Sequence, residues 1–190
     1  MMWSLFSLRK CSTPPHNQHY DLNNYYCKTG VSGIFKSIQR EINYHKDELI
    51  VKHHNEAYKN MMPLWVIVEL ISFSNLSKYY NSLYKSDKEA ICKSVSIDSK
   101  YLSNWLHCMS VLRNRCAHGN RLYNIRYNPP AKLSKGFLRS NPDISNQSLV
   151  AYMFILKRML PDDEAKSCFA SELELLYKKY DGLVDFGRIK

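Results

Sequence analysis

The sequence lacks an apolar run long enough to cross a membrane, and it has almost no β-strand pattern. Its longest apolar stretches, Met61 to Phe73 and Leu149 to Leu156, fall well short of the roughly 20 residues that a bilayer requires. Alternation typical of strands is nearly absent outside Met62 to Ile71. Both a membrane-spanning protein and a sheet-based fold are therefore disfavoured.

Disulfide and metal-site spacings are also missing. The six cysteines include no C-x-x-C pair and no spacing typical of zinc ligands. His53 and His54 are adjacent, so on a helix their side chains point about 100° apart, and no Cys or carboxylate completes a tetrahedral set. The start, Met1 to Leu8, is too short for a signal peptide and is followed by Arg9 and Lys10. We expect a cytoplasmic protein with reduced thiols, no metal and no cofactor.

Helical periodicity, by contrast, recurs through most of the chain. We predict an all-α fold with an irregular N-terminal arm over residues 1–29 and a single helical domain over residues 30–190. Predicted helices run from Val31 to about Tyr44, from Pro63 through the apolar run to Ile71, from about Asn75 to Tyr84, from Ser86 to about Val95, from Ser99 to His118, from Gln147 to Leu160, and from Asp162 to Tyr180.

Three local features refine this prediction. Ser86 to Glu89 has the pattern of a capping box that opens a helix. The segment Asn128 to Pro142 has the composition of a long loop. Trp65 and Trp105 lie on the two most apolar helices, so we expect both indoles in the core.

The helix from Ser99 to His118 carries the residues of greatest chemical interest, and Gly119 follows as its stop. Asn114 and His118 lie one turn apart on one edge of it, whereas Arg113 projects close to the centre of the apolar stripe. A guanidinium cannot lose its charge, so a core-facing Arg needs an acidic partner or an anion. Glu69, within the most apolar helix, has the complementary problem, and we predict that Glu69 pairs with Arg113 and orients it.

Arg113, Asn114 and His118 together suit metal-independent RNA cleavage. Histidine can take and give a proton near neutral pH, Arg113 can stabilise charge on a phosphate, and Asn114 can position either partner. Because a single histidine supplies one proton-transfer group and the reaction gains from two, we expect a homodimer with the cleft at its interface. The alternative is that His118 merely suits the negative end of the helix dipole.

The net charge of +10, spread along the chain, makes a polyanionic partner such as RNA plausible. Tyrosines interleave with basic residues, for example from Tyr123 to Tyr127, a mixture that suits base stacking and phosphate contact. Tyrosines of this kind also pack at the edges of cores, and that alternative stays open.

The stretch Arg113-Asn114-x-x-Ala117-His118 resembles the R-x4-H signature of HEPN domains, helical bundles often found as RNases in toxin and phage-defence systems. The chain from about residue 35 to 130 is similar to the Abi family of abortive-infection proteins. This similarity rests on His54, Tyr58, Pro63 to Val66, Glu69, Ser72-Phe73, Leu76 to Tyr80, Trp105-Leu106 and Arg113 to Asn124.

The resemblance implies a HEPN-like bundle that acts on RNA, dimerises through the motif helix, and has Arg113, Asn114 and His118 as catalytic residues. It also implies an antitoxin RNA or protein as a possible further partner. The residues assigned to RNA contact, or to packing at the helix end, are Arg115, Arg121, Tyr123, Asn124 and Arg126. A non-catalytic HEPN module that binds RNA or a partner protein, and a scaffold whose motif serves dimer packing alone, share the same fold.

Overall fold

The structure, a computed structural model, describes residues 18–57 and 62–180. Over these residues it contains nine α-helices and no strand, and Tyr25 and Leu83 form an isolated antiparallel bridge. The helices are α1 (Lys28–Tyr44), α2 (Leu49–Ala57), α3 (Leu64–Leu70), α4 (Phe73–Ser82), α5 (Lys85–Val95), α6 (Ser99–Ala117), α7 (Lys135–Ser140), α8 (Leu149–Met159) and α9 (Asp163–Tyr180). The predicted all-α class is confirmed.

The chain divides into two compact units, Met1–Ser94 and Val95–Lys190. None of the helices in the described ranges is long and apolar enough to cross a membrane. The cysteines within these ranges form no disulfide with one another, and Cys11 lies outside them.

The first unit is organised around the packing of α1 on α4. The buried residues of α1 recur every three or four positions and form one face: Val31, Ile34, Ile38 and Ile42. Gly30 allows the start of α1 to approach the end of α4, because a Cβ there would lie 3.0 Å from Cys27 Sγ and 3.2 Å from Ser82 Oγ. Tyr79 and Tyr80 are buried on α4.

The described part of the predicted arm is bonded to the end of α4, where the Tyr26 N–H donates to the Ser82 carbonyl at 3.0 Å. Residues 18–24 form two short 3-10 turns, and the buried Tyr25 hydroxyl donates a hydrogen bond to the His19 carbonyl at 2.6 Å. Burial lowers the pKa of His19 to about 4, so its imidazole is neutral at neutral pH. Residues 1–17 of the predicted arm lie outside the described residues.

Two local predictions in the first unit are wrong. The helix α5 begins at Lys85, and the Lys88 N–H already bonds to the Tyr84 carbonyl, so Ser86 lies inside the first turn and does not cap it. Trp65 is 40% exposed because the seven-residue α3 buries only one face, and Trp65 and Glu69, four residues apart, both lie on the exposed face. The helix is therefore not surrounded by the core.

The second unit is built on α6, which packs on α8. Buried residues of α6 extend from Leu102 to Leu112, and Tyr152 and Ile155 of α8 are fully buried. The predicted loop from Asn128 to Pro142 contains the short helix α7, whose start is capped by the Ser134 hydroxyl accepting from the Phe137 N–H.

Candidate active site

The end of α6 is closed by a Schellman motif that fixes the position of His118. Gly119 has φ +60°, the left-handed conformation that glycine adopts without strain. The Asn120 N–H donates to the Arg115 carbonyl at 2.8 Å, and the Gly119 N–H donates to the Cys116 carbonyl at 3.1 Å. His118 is thus the C-cap residue, and the predicted stop at Gly119 is confirmed.

The three predicted catalytic residues lie within six residues at the C-terminal end of α6. The His118 N–H donates to the Asn114 carbonyl at 3.0 Å, which places these two residues one turn apart on the same edge of the helix. The Arg113 Nη1 lies 3.5 Å from Asn114 Oδ1, within reach of a hydrogen bond. All three side chains are exposed, so they are accessible to a ligand.

The prediction that Arg113 lies within the core stripe is wrong. Its angular position agrees with the stripe, but Leu112 is the last buried residue of α6, so the final turn extends beyond the packed part of the helix. Glu69 is exposed as well. Because both side chains are exposed, neither charge is desolvated, and desolvation was the reason for predicting that they pair. A Glu69–Arg113 pair stays a prediction.

Arg115 holds the segment after α6 against the helix end. Its Nε and Nη2 donate to the Arg121 carbonyl at 3.2 and 2.8 Å, and its guanidinium carbon lies 5.9 Å from the centre of the Tyr127 ring. Tyr127 is buried and its hydroxyl donates to the Leu122 carbonyl at 2.8 Å. Burial raises the pKa of Tyr127 to about 12, which keeps this donor protonated. Arg115 therefore has a structural role, whether or not it also contacts a ligand.

The other predicted RNA-contacting residues lie on the exposed surface of the segment that Arg115 holds. The exposed side chains are Arg121, Tyr123, Asn124 and Arg126. The guanidinium carbon of Arg121 lies 6.0 Å from the centre of the Tyr123 ring. Asn124 has φ +52°, a left-handed conformation that asparagine adopts more readily than most residues. The motif and these side chains therefore belong to one exposed region of the second unit.

Sequence reasoning missed how strongly the positive charge is concentrated around α6. The 44 residues from 99 to 142, which we call the basic stretch, contain eight Lys or Arg and no Asp or Glu. The rest of the chain has 27 − 8 = 19 basic and 17 acidic residues, so the basic stretch carries +8 of the net charge of +10. A windowed charge count along the sequence reveals this concentration, whereas the total charge hides it.

No group of three or more His, Cys, Asp or Glu side chains within residues 18–57 and 62–180 has a geometry that holds a metal ion. The absence of a metal from the reaction stays a prediction.

A family model described as Abi-like protein matches residues 6–124, a range that includes α1 to α6, the Arg113 to His118 motif and Tyr123-Asn124. The match begins well before residue 35, where the resemblance was expected to begin. No curated protein and no solved structure matches the chain.

Proposed function

This chain belongs to the Abi-like protein family, which indicates a role in abortive infection, and from that premise we propose that it is an RNA-cleaving enzyme. The proposed activity is metal-independent endoribonuclease cleavage of the HEPN type. Arg113, Asn114 and His118 are the proposed catalytic residues. The observation that carries the proposal is that all three side chains are exposed within six residues at the C-terminal end of α6, inside a stretch with no acidic residue to repel a phosphate.

In the proposed reaction the ribose 2′-hydroxyl attacks the adjacent phosphorus. The 2′ oxygen–phosphorus bond forms while the bond from phosphorus to the 5′ oxygen of the next nucleotide breaks. One base accepts the proton of the 2′-hydroxyl, and one acid donates a proton to the leaving 5′ oxygen. The products are a 2′,3′-cyclic phosphate and a 5′-hydroxyl. DNA lacks the attacking hydroxyl, which makes RNA the substrate.

Each chain contributes one His118, whereas the reaction uses both a base and an acid. A two-fold homodimer that brings two copies of the last turn of α6 together supplies both groups at one cleft. The exposure of Arg113 and His118 supports this arrangement, since a second copy and the substrate both have access to the turn. Arg113 stabilises the charge that grows on the phosphate oxygens, and its planar fork suits two of them at once.

The decisive experiment compares cleavage of a fluorescent single-stranded RNA by the wild type, His118→Ala and His53→Ala in the presence of a chelator. His53 is the control because it is also an exposed helical histidine, on α2 of the first unit. We expect His118→Ala to lower the cleavage rate by about 10²- to 10⁴-fold, and His53→Ala to leave it unchanged. Equal rates for the two variants, or products that end in a 3′-hydroxyl, would contradict the proposal.

The basic stretch also favours a second candidate function, a non-catalytic module that binds RNA. Eight cationic residues without an acid among them are sufficient for phosphate contact, and binding needs no proton transfer. In that case the wild type binds RNA without cleaving it, and His118→Ala binds as the wild type does. An antitoxin RNA or protein that restrains the activity stays a prediction.

A further inference from the structure

The second unit contains a groove at the opposite end of α6 from the motif. Lys100, Tyr101 and Asn104 of α6 line one side of this groove, and Lys132 and Lys135 line the other. Pro129, Pro130, Ala131, Leu133 and Leu138 supply its apolar surface. Its volume is about 970 Å³. That size is at the upper end of the roughly 300–1,000 Å³ typical of small-molecule sites, so it accommodates a nucleotide with its neighbouring phosphates. We call it the lysine groove.

Side-chain hydrogen bonds from α6 build the lysine groove in advance of any ligand. The Asn104 Nδ2 donates to the Pro130 carbonyl at 3.0 Å, and its Oδ1 accepts from the Lys132 N–H at 2.7 Å. The Trp105 Nε1 donates to the Lys132 carbonyl at 2.8 Å. Tyr101 stacks on the Trp105 ring with centres 5.5 Å apart and planes 22° apart. A preformed groove binds a ligand without a cost for ordering its walls.

The charge of the lysine groove selects an anionic partner. Lys132 and Lys135 are exposed, and none of the lining residues is acidic. Lys100 forms an ion pair with Asp98 at 2.9 Å, so its charge is already partly compensated. The apolar surface and the half-buried Tyr101 ring provide contacts for a base, while Lys132 and Lys135 provide contacts for phosphates.

The lysine groove and two residues of the motif, Asn114 and His118, share one face of α6. Residues that recur every three or four positions connect them: Lys100, Asn104, His107, Val111, Asn114 and His118. At about 100° per residue these six lie within a sector of about 80°, and each is exposed or half-buried. From Asn104 to His118 the helix rises roughly 20 Å, which is the length of about six stacked nucleotides.

We propose that the lysine groove is a second RNA subsite, which holds one part of the single-stranded RNA whose phosphate link reaches His118. A base lies on the apolar surface beside the Tyr101 ring, whose faces contact Trp105 and Lys100. Lys132 and Lys135 contact the adjacent phosphates, and the strand follows the exposed face of α6. This inference rests on the proposed function, since it takes the substrate of the motif to be RNA. It adds a positioning site for that substrate at a distance from the reacting bond.

The test measures binding of a fluorescent 12-nucleotide single-stranded RNA to full-length His118→Ala protein, which removes cleavage from the measurement. In this background we compare Lys132→Ala/Lys135→Ala with the matched control Lys157→Ala/Arg158→Ala. The control pair removes the same charge from exposed positions on α8 of the same unit, outside the lysine groove. Melting temperatures of all variants verify that they fold.

We expect the groove pair to weaken RNA binding by about tenfold. The slope of log K against log salt concentration should become shallower by about 1.4, which corresponds to the loss of two phosphate contacts. The control pair should change both quantities much less. Tyr101→Ala should also weaken binding, and Tyr101→Phe should not, because the apolar wall of the groove needs the ring and not the hydroxyl.

Two results would overturn the inference. If the groove pair and the control pair weaken RNA binding equally, the attraction is diffuse and not local to the lysine groove. If the groove pair leaves RNA binding unchanged, the result is the one expected of a groove that docks a protein. Failure of the proposed function is visible separately, as wild-type protein that does not cleave the same RNA. Selective weakening by the groove pair supports the subsite in that case too.

Discussion

The two parts of α6 differ in burial, and therefore in how strongly packing restricts the residues they contain. Between Leu102 and Leu112 the helix contributes most of its side chains to the core, and its indole and amide groups fix the segment from Pro130 to Lys132. From Arg113 to His118 the side chains are exposed or half-buried. The comparison shows how one helix acts as a core element over most of its length and presents reactive groups at its end, where packing constrains residue choice least.

A substitution in the buried part of α6 should have the largest effect on stability. Trp105→Ala removes a buried indole and leaves the Lys132 carbonyl without its donor, so the free energy of unfolding should fall by about 3–5 kcal/mol. Urea denaturation followed by circular dichroism measures this change. Trp65→Ala is the control, and because Trp65 is 40% exposed its loss should be much smaller. Equal losses would mean that the core assignment of Trp105 is incorrect.

A substitution at the exposed end of α6 should change activity without changing stability. Arg113→Ala should lower the cleavage rate by about 10²- to 10³-fold, because the variant lacks the donor that stabilises the charged phosphate. Its melting temperature should stay within a degree or so of the wild type, since the side chain is exposed. Arg113→Lys should recover only part of the rate, since lysine lacks the planar fork. Arg158→Ala, on exposed α8, serves as the control. A large fall in melting temperature for Arg113→Ala would contradict its assignment as a surface residue.

The smallest expected effect is at Gly119, which follows the motif and ends α6. Gly119→Ala places a Cβ in the left-handed conformation, with no atom within 4 Å, so the strain of about 1–2 kcal/mol is purely conformational. Gly33→Ala, in the middle of α1 and equally free of contacts, should instead stabilise the protein by about 0.5–1 kcal/mol. Thermal unfolding of both variants gives the two changes, and effects of the same sign would mean that the Schellman motif does not form.

Much of the helical architecture could be predicted from the sequence, because apolar periodicity and terminal residues are local signals. The bounds of α6 and the stop at Gly119 follow from such signals and are confirmed. The exposure of Arg113 could not be predicted, since a helical wheel gives the direction of a side chain and not the point at which its packing partners end. For the same reason Trp65 was wrongly placed in the core.

The candidate site was also predictable only in part. The motif residues were recognisable as a pattern, and the position of Asn114 one turn before His118 required only helical geometry, whereas the exposure of Arg113 did not follow from it. The lysine groove was not predictable, since it depends on hydrogen bonds between Asn104 and a segment 26 to 28 residues later in the chain. Contacts of that separation leave no periodic trace in the sequence.

The amide of Asn104 bonds in both directions to the backbone, much as a residue of an adjacent β-strand does. The segment from Pro130 to Lys132 is therefore anchored by α6 itself and not by the length of the connection that leads to it. Because both hydrogen bonds come from one side chain, the register between α6 and the segment from Pro130 to Lys132 is set at a single residue.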